Sequence, residues 1–85
     1  MRFTINGSEL AWAAGAVTGP PAIVAELEAA VGQELMYPPT GPSIKGSCAT
    51  FDEAFWTARA LFDDVDTDEE VGLPPGYEAR PGVVY

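Results

Sequence analysis

Arg2-Phe3-Thr4-Ile5-Asn6-Gly7-Ser8-Glu9-Leu10-Ala11-Trp12 is the stretch from which the fold can be argued. Asn6-Gly7 is the dipeptide favoured by the type I′ turn of a two-residue hairpin, since both turn positions need positive φ. Such a loop sets Ile5 opposite Ser8, Thr4 opposite Glu9, Phe3 opposite Leu10 and Met1 opposite Trp12. Met1, Phe3, Ile5, Leu10 and Trp12 then share one face, while Arg2, Thr4 and Glu9 share the other. Turn chemistry and hydrophobic alternation agree, as a hairpin requires. The competing assignment, a helix over 8–17, must accept Gly15 in its interior and gains no clean apolar stripe.

Downstream, Thr18-Gly19-Pro20-Pro21 reads as a helix entry, with proline tolerated in the first turn. Ile23, Val24, Leu27 and Val31 follow at helical spacing, and Gly32 is a terminator, which predicts a helix over 21–31. Glu34-Leu35-Met36-Tyr37 is a short strand candidate, stopped by Pro38-Pro39. Three prolines and two glycines make 38–47 a predicted loop, with Ile44 pinning it to the core. Thr50-Phe51-Asp52-Glu53 is a capping box. Behind it Phe51, Ala54, Phe55, Ala58, Leu61, Phe62 and Val65 form a stripe that predicts a helix over 51–63 with its aromatic face in the core. Trp56 lies beside that stripe, where it covers a flank or faces a partner.

These elements predict an α+β fold: the N-terminal hairpin and one or two short strands in a small antiparallel sheet, with two helices on one face. The aromatic stripe should bury against Phe3, Leu10 and Trp12. Residues 1–71 form a single compact domain. From Gly72-Leu73-Pro74-Pro75-Gly76 onward, 72–85 reads as an extended arm ending in β-prone Val83-Val84-Tyr85. That arm either packs on its own sheet or adds to a neighbouring subunit.

Charge narrows the function. The chain has 85 residues, thirteen acids, four bases, no histidine and a net charge of −9. Six of the acids, Asp63, Asp64, Asp66, Asp68, Glu69 and Glu70, fall in the eight positions 63–70. A surface of that sign repels phosphate backbones, so neither direct nucleic-acid binding nor an anionic membrane is expected; a basic protein partner is the complement. Cys48 is alone, which excludes an intramolecular disulfide and reads as a small core thiol. No stretch approaches a membrane span, and Leu10-Ala11-Trp12-Ala13-Ala14-Gly15-Ala16-Val17 is a poor signal peptide, so a cytoplasmic location is expected.

The acid run has three readings: a solvated face, a docking surface for a basic partner, or a divalent-metal loop. Negative charge at a helix C-terminus is unfavourable, and an i,i+4 contact from Arg59 to Asp63 offsets little of it, so the run is not there for helix stability. Asp64-x-Asp66-x-Asp68 imitates the start of a calcium loop. Glu69 stands where that loop needs glycine, however, and Pro75 where it needs its closing glutamate. No metal ligand and no cofactor is assigned. Gly41-x-x-x-Lys45-Gly46-Ser47 has the wrong order and spacing for a phosphate loop. Without histidine the only amine near Cys48 in sequence is Lys45, which is thin support for nucleophilic catalysis. Pro74-Pro75-Gly76-Tyr77 matches a polyproline ligand motif with a tyrosine anchor, a four-residue signal of low specificity.

Met1-Arg2-Phe3-Thr4-Ile5-Asn6-Gly7-Ser8-Glu9-Leu10 resembles the hairpin that opens several small tailed-phage morphogenesis and virion proteins. Val17-Thr18-Gly19-Pro20 and Pro39-Thr40-Gly41-Pro42 are similar in style to small proteins of phages with GC-rich hosts. The likeness covers the first half of the chain and implies no catalytic residues. It implies a structural or assembly component of a virion. The expectation is a non-enzymatic protein-protein interaction module that meets a basic surface or a neighbouring subunit, as a homo-oligomer or virion component. Its contacts would come from Asp63, Asp64, Asp66, Asp68, Glu69, Glu70, Tyr77, Val83, Val84 and Tyr85. The alternative is an acidic inhibitor or immunity-type protein that binds a basic nucleic-acid-binding protein by charge mimicry.

Overall fold

Asn6 and Gly7 both adopt positive φ, 52° and 82°, and they close the hairpin that their identity predicts. In the computed structural model, which describes residues 1–37 and 41–74, strand β1 (Arg2–Ile5) pairs with β2 (Ser8–Ala13) in the expected register. Beyond β1, Trp12 N donates to Met1 O at 2.7 Å. A second hairpin follows at once. Ala14 (φ 50°) and Gly15 (φ 83°) turn β2 into β3 (Ala16–Thr18), with Trp12 opposite Val17.

Helix α1 (Pro21–Ala30) begins on proline, and the chain leaves it through Gly32 at φ 82°. Strand β4 (Glu34–Met36) does not join the main sheet. It pairs with β5 (Ser43–Lys45) in a separate two-stranded ribbon. The expected loop over 38–47 therefore contains a strand, because Ile44 is buried opposite Leu35 and draws its neighbours into register. Ile44 does pin this segment to the core.

Helix α2 (Phe51–Leu61) starts at Thr50, whose hydroxyl accepts the amide of Glu53 at 3.2 Å. It ends two residues earlier than the periodicity predicts. Phe62 is already extended, and Asp64 O accepts the amide of Asn6 at 2.7 Å. The chain must straighten there to enter β6 (Val65–Asp66), which pairs antiparallel with β1 and completes a four-stranded sheet of order β3-β2-β1-β6.

The fold class is α+β. Phe3, Ile5 and Leu10 on the inner sheet face pack with Leu27 of α1 and with Phe51, Phe55 and Ala58 of α2. The Phe3 and Trp12 rings meet Phe51 edge-on at centroid distances of 5.8 and 6.4 Å. Burial of this set supplies the main stabilisation, at roughly 25 cal/mol per Å² of apolar surface. The opposite sheet face carries Arg2, Thr4, Glu9 and Asp66 and has neither helix over it.

Candidate functional site

The acid run is built into the sheet. Thr4 pairs with Asp66 and Ile5 with Val65, so Val65 points inward and is buried while Asp66 lies outside. Past β6 the backbone ladder stops, and side chains continue it. Thr67 Oγ1 donates to Arg2 O at 2.7 Å, and Arg2 N donates to a Glu69 carboxylate oxygen at 3.2 Å. The amide of Glu69 donates back to Thr67 Oγ1 at 3.1 Å, and that of Thr67 to Asp66 Oδ1 at 2.8 Å. Residues 67–69 thus form a strap along the outer edge of β1.

Between this strap and β2 lies an open groove of about 780 Å³. Glu9, Asp66, Asp68 and Glu69 line it, together with Arg2, Thr4 and Thr67. Among the described residues the lining holds two cations: the Arg2 guanidinium, engaged by Glu9 at 3.0 Å, and the Met1 α-ammonium, which donates to Trp12 O at 2.9 Å. Four carboxylates against two cations that already have partners leave the groove with a net negative charge.

Asp66, Asp68 and Glu69 of the expected docking residues come together in this groove. Asp63, Asp64 and Glu70 are exposed beside the strap and do not line it. Tyr77, Val83, Val84 and Tyr85 lie outside the described residues, as do 75–85 as a whole. The described start of the arm is anchored: Trp56 Nε1 donates to Gly72 O at 2.8 Å, and Gly72 N donates to Asp52 at 3.1 Å. Trp56 therefore covers a flank and holds the chain that leaves the strap.

Sequence reasoning missed Thr67, whose hydroxyl organises the strap, and it read Arg2, Thr4 and Glu9 only as the solvent side of a hairpin. The expected Arg59–Asp63 contact is also replaced. Arg59 sits over the rings of Tyr37, Phe55 and Trp56, each 5.8 Å from its guanidinium carbon, because the helix ends before Asp63 can come round to it.

Cys48 is half-buried, and its carbonyl accepts Trp12 Nε1 at 2.9 Å. Burial, reinforced by the charges of Glu28 and Glu53, raises the thiol above its ordinary range, so it stays protonated at neutral pH. Among the described residues no three His, Cys, Asp or Glu side chains converge as a metal site, and no helix is long and apolar enough to cross a membrane. No protein-family, curated-protein or solved-structure comparison gives a match to this chain.

Proposed function

We propose that the protein is a non-enzymatic interaction module that receives a basic protein surface in the groove between β2 and the strap. The observation that carries this reading is the lining itself: Glu9, Asp66, Asp68 and Glu69 outnumber two cations, Arg2 paired to Glu9 and the Met1 ammonium bonded to Trp12 O. Surface carboxylates in such numbers do little for stability. They speed and orient encounter with a cationic partner. The resemblance of the opening segment to phage virion proteins supports a small structural or assembly role, with a neighbouring subunit as the basic partner.

One observation favours a second reading. Asp64 and Asp66 flank Val65 on an extended segment, so their side chains project to one side about 6.6 Å apart. A row of charges at that pitch suits an inhibitor that occupies the phosphate-binding surface of a nucleic-acid-binding protein. Competition separates the two readings. A duplex oligonucleotide should displace the protein from a phosphate-binding partner and leave an assembly contact intact.

The test is a double substitution, Asp66→Asn with Asp68→Asn, which spares the Glu69 contact to Arg2. Binding to whatever co-purifies with the protein should weaken, and its dependence on salt should flatten. Unchanged affinity with an unchanged salt slope would remove the groove from the account.

A further inference from the structure

Among the described residues, the outer edge of β3 has unpaired backbone groups facing a small apolar cleft. Ala13 and Ala16 close the two-residue turn as a hydrogen-bonded pair, and Ala11 with Thr18 is the next such pair. Val17 falls between them, so its N–H and C=O point away from β2. Among the described residues, Val17 takes part in none of the backbone hydrogen bonds outside the ladders. The cleft beside it, about 320 Å³, lies between β3, α1 and residues 47–49. Buried Leu27 forms its floor, with Val17, Val31 and Ala49 as apolar walls and Glu28 at the rim. Val31 is 49% exposed, a large apolar side chain left half in water beside an open strand edge.

We infer that β3 and α1 form a second docking site, which takes an extended basic peptide segment of a partner protein as an added antiparallel or parallel strand. Strand addition satisfies the Val17 N–H and C=O and inserts one aliphatic side chain over Leu27. The charge of the site selects the occupant. Glu28 stands on the rim, and both Glu28 and Glu53 act on Cys48 in the cleft wall. A second copy of this chain would bring the same carboxylates and a net charge of −9 against them, whereas a lysine-bearing strand is attracted. This site is separate from the groove under the strap, and neither depends on the other.

The probe is an acetylated, amidated hexapeptide of alternating lysine and valine, titrated while amide shifts and exchange are followed. Shifts at 15–19, 27–31 and 47–49, with slowed exchange at the Val17 amide, are expected. The same peptide N-methylated at alternate residues keeps its charge and loses its donors. It should bind about tenfold more weakly, as the loss of one or two hydrogen bonds implies. Val17→Pro, tolerated at an edge position whose N–H is free, should have a similar effect, and Val31→Lys should repel the peptide. Equal binding of both peptides, shifts confined to Glu9 and 66–69, or no response at Val17 would each overturn the inference. So would a Val17 amide already protected in the protein alone, since that edge would then be occupied by the chain itself or by another copy.

Discussion

Thr67 Oγ1 donates to the carbonyl oxygen of Arg2 at 2.7 Å, across sixty-five positions of sequence, and accepts the amide of Glu69 at 3.1 Å. One hydroxyl therefore fixes where the acidic strap lies on the sheet. Thr67→Val keeps the side-chain shape and deletes both contacts. The expected cost is about 1 kcal/mol, read as a lower midpoint in urea denaturation. Amide exchange should accelerate at Arg2 and Glu69 and stay slow at Phe3 and Leu10. Unchanged exchange at Arg2 would mean that the strap is held by something else.

Thr57 is fully buried on α2, where its hydroxyl donates to Ser47 O and accepts from Ser47 N, both at 3.0 Å. Thr57→Val leaves both Ser47 backbone groups without that partner. A loss of about 1–3 kcal/mol is expected, and Thr57→Ser should recover most of it. Equal effects of the two substitutions would indicate a packing role for the methyl group instead.

Gly46 is buried, and a Cβ there would fall on the carbonyl oxygen of Ala30. Its backbone ties the ribbon to the end of α1, through Gly32 N to Gly46 O at 2.7 Å and Gly46 N to Gln33 O at 2.8 Å. Gly46→Ala should destabilise by more than about 2 kcal/mol, since backbone cannot rotate aside as a side chain can. A thermal melt close to that of the unsubstituted protein would contradict this packing.

Ala14 holds φ at 50° in the second hairpin turn, a region that costs an ordinary L-residue about 1 kcal/mol and costs asparagine much less. Ala14→Asn recreates the Asn-Gly pair of the first turn and should stabilise by roughly that amount. This turn also shows why part of the sheet was not legible in the sequence. Asn6-Gly7 announces a turn through its φ preference, so the first hairpin and its register could be counted out from residue identities. Ala13-Ala14-Gly15-Ala16 is weak turn chemistry in a strong helix former, and only the pairing of Trp12 with Val17 reveals the strand. Likewise β5 is invisible between prolines and glycines, because a burial partner, Leu35, makes it a strand. The acid run was legible as charge. Its place on β1 was not, since it depends on Val65 entering the core opposite Ile5 and on a threonine among the acids.

The raised Cys48 thiol gives a signed pH dependence. The folded state keeps this proton to higher pH than the unfolded chain does. The associated stability is complete below the ordinary thiol range and is lost as pH rises through the folded value. Cys48→Ser should therefore flatten the alkaline limb of the stability profile. Alkylation of Cys48 at neutral pH should also be slower than that of an unstructured peptide thiol. A faster reaction would place the side chain in a different electrostatic setting.

The most direct test of the docking groove is an amide-shift titration with a short acetylated arginine peptide at low and high salt. The largest shifts should fall at Arg2, Thr4, Glu9 and 66–69, and raising the salt from about 50 to 300 mM should abolish them. Shifts of equal size around Glu26, Glu34 and Asp63, with none favouring the groove, would show a diffuse acidic surface and contradict the account.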